Sequence, residues 1–261
     1  MVQKKSGTIS GTKEWADKNY NCFKGCEHDC LYCYARRMAK RGGRIKSDAE
    51  WTKQKICKDK VAHRMGKIAE QAVMFPTTHD ITPKTLAACT TVLQHLLNGG
   101  NRVLVVSKPH LDCIKTICKT FADHRDMILF RFTIGAYDDT VLKYWEPHAP
   151  AFKERLASLK HAFKRGFETS VSIEPMLDSK NVVKLFHMLE PWVTDAIWIG
   201  KMNGVPEKAG KQWELAIRAG QTDAKIAEIY AALKKHPKVK WKDSIKNVVG
   251  LEMAQKAGLD V

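Results

Sequence analysis

Gly25-Cys-Glu-His-Asp-Cys-Leu-Tyr-Cys-Tyr34 is the most informative stretch of this 261-residue chain. It holds Cys26, Cys30 and Cys33 in the spacing C-x3-C-x2-C. Three thiolates leave one iron of a cubic iron–sulfur cluster without a protein ligand. Such an iron can bind a substrate or a cofactor, whereas a metal with four cysteine ligands is closed to both. As ligands of such a cluster, these three cysteines would leave one iron accessible.

A structural zinc site is the alternative interpretation of these cysteines. Cys22 lies four residues before Cys26 and would supply a fourth thiolate. Structural zinc sites usually join two close ligand pairs from separate parts of the chain. All four cysteines fall here within one short segment, and Cys113 and Cys118 are expected to be buried thiols on a helix. The spacing therefore favours the cluster over zinc.

Composition bounds the class of protein. A hydrophobic content of 44% over 261 residues is enough for one large core. The sequence has no apolar run of 18 residues and no apolar stretch of a signal peptide at its N-terminus. Eight cysteines without an export signal indicate a reducing compartment with free or metal-bound thiols. We therefore expect a cytoplasmic protein without a membrane partner.

Positive charge is concentrated next to the three cysteines. The chain carries 44 lysines and arginines against 28 acidic residues, a net charge of +16. Between residues 36 and 67, twelve basic residues face three acidic ones, and a second basic run spans residues 234 to 242. Such fields attract polyanions, although a solvated surface has the same composition. The position beside the cysteines favours a polyanionic partner, DNA or RNA.

Short apolar strands alternate with helical segments along the first two hundred residues. The alternation predicts parallel β/α units and an α/β fold. From about residue 204 the sequence is basic, and we expect a helical extension packed on the barrel. The expected strands lie near residues 19–23, 72–75, 102–107, 127–134, 167–173 and 195–199.

The cysteine segment resembles the signature of the radical S-adenosylmethionine (SAM) superfamily, including the aromatic Tyr32 before the last cysteine. Within that superfamily the chain looks most like the spore photoproduct lyase group of DNA-repair-photolyase-like proteins. The likeness covers residues 19–203 well and the remainder loosely. It is carried by residues 24–36, 77–80, 106–108, 138–150, 155–156 and 239–243.

The resemblance implies both a fold and a chemistry. The fold is a partial (β/α)6 TIM-type barrel over residues 1–203 with a basic helical C-terminal extension over residues 204–261. The implied enzyme binds a [4Fe–4S] cluster and S-adenosyl-L-methionine and takes electrons from a reducing donor. It cleaves S-adenosylmethionine to a 5′-deoxyadenosyl radical that abstracts a hydrogen atom from the substrate. An open barrel of this kind leaves a lateral mouth for a large substrate.

Family likeness also implies roles for individual residues. Cys26, Cys30 and Cys33 would hold the cluster. Tyr34, which matches a tyrosine of the lyases, would relay a hydrogen atom or an electron, unless it only packs in the first helix. Lys201 and Asn203, after the sixth strand, would contact the substrate. The residues expected to bind S-adenosylmethionine, each with packing, capping or solvation as the alternative, are Tyr32, Thr77, Thr78, His79, Lys108, Thr133 and Glu174.

One departure from the lyases bears on the reaction. Lesion-repairing lyases carry a cysteine hydrogen donor in the turn after the second strand, and here that turn reads Pro76-Thr-Thr-His-Asp80. Repair of spore photoproduct is therefore not expected. The leading hypothesis is base modification or repair on a nucleic acid. The alternatives are a radical SAM enzyme for a peptide or small metabolite, and a non-catalytic, metal-stabilised nucleic-acid-binding protein.

Overall fold

Strands of the computed structural model, which describes residues 9–258, form two sheets. Seven of the strands make one parallel sheet in the order β1-β4-β5-β6-β7-β8-β9, and β2 pairs antiparallel with β3. The bounds are Lys18–Asn19 (β1), Phe23–Lys24 (β2), Lys55–Ile56 (β3), Val73–Phe75 (β4), Val103–Ser107 (β5), Ile128–Thr133 (β6), Glu168–Ile173 (β7), Ile197–Ile199 (β8) and Val239–Trp241 (β9).

Helices connect successive strands of the parallel sheet, as parallel pairing requires. Asp138 caps one of them by accepting a hydrogen bond from the backbone N–H of Thr140 at 2.7 Å. The bounds are Tyr34–Arg41 (α1), Asp48–Thr52 (α2), Lys58–Ala62 (α3), Leu86–Asn98 (α4), Leu111–Thr120 (α5), Asp139–Trp145 (α6), Phe152–Lys164 (α7), Val182–Leu189 (α8), Lys211–Gly220 (α9), Asp223–Leu233 (α10) and Asp243–Val249 (α11).

The order of the sheet confirms the expected partial barrel and extends it by one strand. Strands β4 to β8 agree with the predicted strands to within about two residues. The predicted first strand is wrong: β1 ends at Asn19, and Phe23 belongs to β2 in the small second sheet. The segment after residue 204, expected to be helical, also supplies β9, which pairs with β8. The extension therefore completes the sheet as well as covering it.

Alternating residues of the strands face two different environments. Val103, Val105 and Phe130 belong to the main core, in which the sheet packs against the surrounding helices. Leu104 and Leu129 lie in a smaller apolar cluster on the opposite face, inside the barrel. Both faces of the sheet are thus buried, as expected for parallel strands.

An N-terminal segment, residues 10–17, lies in the gap between the two edge strands. On the β1 side, the segment is held by Asn19 of β1, whose side chain donates to the hydroxyl of Thr12 at 3.3 Å. On the β9 side, the segment is held by Lys242, which follows β9. Its ammonium donates to the carbonyl of Gly11 at 2.8 Å and pairs with Glu14 at 2.7 Å. The segment therefore occupies the place where we expected a lateral opening of the barrel.

Trp15 carries the same segment into the barrel interior. Its ring lies edge-on to Trp198 at 5.6 Å, and the guanidinium of Arg131 lies 4.8 Å from the centre of the Trp15 ring. Two aromatic faces thus hold the buried charge of Arg131, which also bonds Ser170 and Asp195. Among residues 9–258, no helix is both long enough and apolar enough to cross a membrane.

Candidate active site

The cysteine segment forms a tight loop between β2 and α1. Gly25 enters it at φ +92°, and a Cβ there would lie 2.3 Å from the carbonyl oxygen of Trp51, so only glycine fits. The N–H of Cys26 donates to that same carbonyl at 2.9 Å. Cys33 then caps α1, its sulfur accepting from the N–H of Arg36 at 3.4 Å. Local backbone contacts therefore fix the first and last thiols.

Arg36 is the buried arginine of the basic stretch, and it holds the middle of the loop. Its side chain is 3% exposed and pairs with Asp29. The guanidinium also donates to the carbonyl of Cys30 at 2.8 Å and to that of Leu31 at 3.3 Å. A planar fork of donors suits three acceptors arranged in this way. Unlike its basic neighbours, Arg36 is thus part of the loop rather than of the charged surface.

A cavity of about 610 Å³ opens above the loop. All three thiols line it, and its volume lies within the range of small-molecule and cofactor pockets. The sequence-based site residues meet here, although they come from six separate segments of the chain. Besides the thiols, the lining includes Tyr32, Tyr34, Thr77, Thr78, His79, Lys108, Thr133, Glu174, Lys201 and Asn203.

Asp80 is the hub of the cavity wall, and it was not among the expected site residues. One of its carboxylate oxygens accepts from the N–H of Lys108 at 2.7 Å and from the hydroxyl of Ser107 at 3.0 Å. The other lies 2.9 Å from Nδ1 of His28 and 3.7 Å from the sulfur of Cys26. Burial raises the pKa of Asp80, but Lys108, His28 and these hydrogen bonds outweigh it and hold the pKa well below its usual range.

A mostly buried cation, Lys108, stands directly after β5. Its ammonium lies 3.6 Å from Asp80 and 5.8 Å from the centre of the Tyr32 ring. Burial lowers the pKa of Lys108, but the surrounding negative charges, with Asp80 first, outweigh burial and raise it well above its usual value. The site therefore holds a fixed positive charge at the cavity wall, suited to a carboxylate.

The turn after β4 presents backbone more than side chains to its neighbours. Asn21 accepts from the N–H groups of Thr77 and Thr78, both at 2.8 Å, and the hydroxyl of Tyr34 donates to the carbonyl of Thr77 at 2.7 Å. The ring nitrogens of His79 lie close to other groups, with Nε2 4.0 Å from the sulfur of Cys22 and Nδ1 3.2 Å from the carbonyl of Asp80. His79 thus lines the cavity while both of its nitrogens have neighbours within the protein.

Glu174 and Thr133 stand at the ends of β7 and β6, as expected. Glu174 is mostly buried and lies 3.7 Å from Lys242. Burial raises the pKa of Glu174 to about 7, although Lys242 acts in the opposite direction. The carbonyl of Thr133 accepts from Arg155 at 3.2 Å, and Thr133 also lines the cavity. Hydroxyl and carboxyl groups at this wall suit the hydroxyls of a ribose.

Residues from both sides meet at the cavity mouth. Tyr34 is 44% exposed there, and Arg37, its neighbour on α1, donates to the carbonyl of Asn203 at 3.1 Å. The ammonium of Lys201, which also lines the cavity, lies 3.8 Å from the carboxylate of Asp223. Of the two residues expected after the sixth strand, Asn203 therefore has the closer link to the exposed end of the cavity.

The thiols fit an iron–sulfur cluster better than zinc. In the described residues, the compact group of possible metal ligands is Cys26, His28 and Asp80, whose ligand atoms all lie within 4.8 Å. The three thiols do not form so compact a group, whereas zinc bonds of 2.3 Å would place tetrahedral sulfurs about 3.8 Å apart. A four-iron cube instead binds each cysteine through a different iron.

Cys22 does not complete a four-thiolate set. Its sulfur lies 3.9 Å from that of Cys89 on α4, and Cys22 is not part of the cavity lining. Burial raises the pKa of Cys26 to about 12 and that of Cys30 well above its usual value. Because iron binds thiolates, loading of the site must displace these protons.

Relatives of the chain are distant in sequence. No family model matches it. Among curated proteins it is similar to the uncharacterized protein ORF301 of Acidianus two-tailed virus, with 23% identity over 172 residues. The match covers 60% of this chain and 55% of the viral protein, so the chain spans little more than half the length of that relative.

Solved structures are similar in fold. A spore photoproduct lyase mutant with dinucleoside spore photoproduct has a TM-score of 0.56 and 14% identity, over 92% of this chain and 80% of the lyase. The chain has the fold of the radical SAM enzymes. SuiB of Streptococcus suis, bound to its precursor peptide SuiA, has a TM-score of 0.51 and 8% identity, over 93% of this chain and 52% of SuiB.

A second SuiB structure is also similar in fold. It is bound to S-adenosylmethionine and matches with a TM-score of 0.50 and 10% identity, over 70% of this chain and 42% of SuiB. Both neighbours are radical SAM enzymes, and the likeness shows that this chain shares their fold. One neighbour is shown with a nucleoside lesion and the other with a peptide, so they leave the substrate class open.

Proposed function

We propose that this chain is a radical SAM enzyme that acts on a nucleic acid. The observation that carries the proposal is a single cavity lined by three loop thiols, by a fixed cation and by the ends of the barrel strands. When bound there, the cluster and S-adenosylmethionine supply a 5′-deoxyadenosyl radical that takes a hydrogen atom from the substrate. The protein residues bind, orient and shield these groups.

Each wall of the cavity has a distinct task in this proposal. Cys26, Cys30 and Cys33 hold the cluster. Lys108 attracts the carboxylate of S-adenosylmethionine, and Asp80 keeps Lys108 charged and in place. Tyr32 borders the adenine and excludes water from it. The ribose hydroxyls are taken by Thr133 and Glu174, and the ammonium group by the turn that holds Thr77, Thr78 and His79.

Tyr34 is the proposed catalytic residue beyond the cofactor pocket. It lies at the mouth, where a substrate enters, and its hydroxyl is fixed by the carbonyl of Thr77. A phenol in that position can pass a hydrogen atom between the cavity and the substrate. Phenylalanine at this position keeps the packing and removes the transferable hydrogen.

Charge around the mouth supports a nucleic acid as the substrate. Apart from Arg36, the basic residues between positions 36 and 67 are exposed, and this stretch follows the cysteine loop directly. A surface of this kind neutralises phosphates and releases their counterions. Arg37 joins this surface to the cavity lining. One structural neighbour carries a dinucleoside lesion, which also supports this substrate class.

A peptide is the second candidate substrate. It is favoured by one observation, the similarity to SuiB in complex with its precursor peptide. Against it stands the basic surface, which would have to serve an acidic peptide. The two candidates differ in the salt dependence of binding, because counterion release makes binding to a nucleic acid weaken steeply with salt.

Anaerobic reconstitution with iron and sulfide tests the chemistry. The reconstituted protein should absorb near 400 nm, and it should form 5′-deoxyadenosine from S-adenosylmethionine and dithionite. Each of Cys26→Ala, Cys30→Ala and Cys33→Ala should abolish both signals. Cys118→Ala, in α5 and outside the cavity lining, should keep them. Stimulation by DNA, RNA or a peptide identifies the substrate class. A colourless zinc protein would contradict the proposal.

A further inference from the structure

A buried ion pair stands directly behind the cysteine loop. Glu146 follows α6, Arg155 lies in α7, and an oxygen and a nitrogen of their side chains are 2.5 Å apart. Both side chains are 0% exposed. Removing two charges from water costs several kcal/mol for each ion, and an apolar pair of similar volume is often as stable. The pair therefore calls for an explanation beyond stability.

The glutamate end of the pair is attached to the loop. The hydroxyl of Tyr32 donates to one oxygen of Glu146, and Tyr32 stands between two of the cysteines. Two backbone hydrogen bonds also join the loop to the segment around Glu146. The N–H of Leu31 donates to the carbonyl of Trp145 at 2.9 Å, and the N–H of His148 donates to the carbonyl of His28 at 3.3 Å. The segment around Glu146 therefore holds the part of the loop that contains Cys30.

The arginine end of the pair is attached to the barrel. Arg155 donates to the carbonyl of Pro150 at 2.7 Å and to that of Thr133, at the end of β6, at 3.2 Å. Its guanidinium therefore has little freedom to move. In this fixed arrangement, the carboxylate of Glu146 contacts the cysteine loop through Tyr32. The guanidinium of Arg155 contacts Glu146 and the barrel instead.

We infer that Glu146 is a positioning residue that holds Tyr32 and, through its charge, sets the reduction potential of the cluster. This inference rests on the proposed function. Net charge and hydrogen bonding around a cluster tune its potential. A buried negative charge opposes the addition of an electron, and low-dielectric surroundings strengthen that effect. Glu146 therefore keeps the cluster strongly reducing, as cleavage of a sulfonium bond requires.

Glu146→Gln is the variant that tests this role. The amide oxygen still accepts from the hydroxyl of Tyr32, while the negative charge is removed. The midpoint potential of the reconstituted cluster, measured by redox titration with electron paramagnetic resonance, should shift to a more positive value. Glu146→Asp keeps the charge and should return the potential toward that of the wild type. A role in folding alone would not produce this difference between Gln and Asp.

Glu168→Gln provides the matched control. Glu168 also pairs with an arginine, Arg102, but this pair is exposed. It lies at the N-terminal ends of β7 and β5, whereas the cavity lies at their C-terminal ends. Its removal should leave the midpoint potential unchanged. If Glu146→Gln does not fold, the double variant Glu146→Gln with Arg155→Met removes both charges. A smaller positive shift is then expected, because the carboxylate is the charge that contacts the loop.

The outcomes separate this inference from the proposed function. A wild-type protein that assembles no cluster has no midpoint potential, and that result defeats the proposed function. A wild-type protein with a cluster, together with a Glu146→Gln variant of equal iron content and unchanged potential, overturns the inference alone. A positive shift in Glu146→Gln, with the control and Glu146→Asp close to the wild type, supports it.

Discussion

The carboxylate of Asp80 contacts Lys108 twice. One oxygen accepts from the backbone N–H of Lys108 at 2.7 Å, and the other lies 3.6 Å from its ammonium. The same side chain therefore fixes both the direction of the chain after β5 and the charge that projects from it. This double contact joins the turn after β4 to the end of β5, where the cavity wall is built.

Asp80→Asn should destabilise the apoprotein. The change leaves the buried ammonium of Lys108 without its counter-charge, and breaking a buried pair typically costs about 3–5 kcal/mol. Urea unfolding of the variant should show a free energy of unfolding lower by about that amount. The control is Asp112→Asn, whose pair with Lys115 is solvent-exposed and should be worth less than about 1 kcal/mol. Equal losses in the two variants would contradict this account of Asp80.

Arg36→Lys should weaken the cysteine loop. A lysine keeps the charge but cannot reach Asp29 and the carbonyls of Cys30 and Leu31 together. We expect a loss of about 1–3 kcal/mol in unfolding free energy and less iron bound per chain after reconstitution. Arg41→Lys, on the exposed end of the same helix, should behave as the wild type in both measurements. Full iron content in Arg36→Lys would show that the loop does not need the guanidinium.

Glu174 should make the stability of the apoprotein depend on pH. Because the folded-state pKa is raised to about 7, the folded protein holds this proton more tightly than the unfolded chain. The contribution of the Glu174 proton to the free energy of unfolding is therefore present at low pH and is lost as the pH rises toward 7. A shift of this size corresponds to about 3 kcal/mol.

Glu174→Gln should remove that dependence. The stability of the variant relative to the wild type should rise between about pH 5 and 7, as measured by urea unfolding at several pH values. Lys242 keeps Glu14 as its partner in the variant. Glu228→Gln on α10 serves as the control, since its side chain is 65% exposed. A difference between Glu174→Gln and the wild type that stays constant with pH would contradict the raised pKa.

Lys53→Ala with Lys55→Ala should reduce the salt dependence of nucleic-acid binding. Each phosphate contact contributes about 0.9 to the slope of log K against log salt for duplex DNA, so two contacts should lower the slope by about 2. Lys119→Ala with Lys164→Ala changes the charge equally at the carboxyl ends of α5 and α7. That pair should leave the slope unchanged, and equal slopes in all three proteins would mean that the phosphates lie elsewhere.

Much of this architecture was predictable because its signals are local. The thiol spacing and the alternation of strands and helices each lie within short windows of sequence, and they led to the barrel. The family resemblance then led to residues of the cavity lining. Asp80 was missed because its partners His28, Ser107 and Lys108 come from two distant segments. Strand β9 was missed because Val239–Trp241 is three residues long and lies within a run of lysines.

The N-terminal segment that fills the gap in the barrel constrains the order of folding. Gly11 lines the cavity and is bonded to Lys242, more than two hundred residues later in the chain. The ribosome must therefore synthesise the chain through Lys242, after all the strands of the sheet, before that contact can form. The contact that closes this wall of the cavity is thus expected to form late in folding.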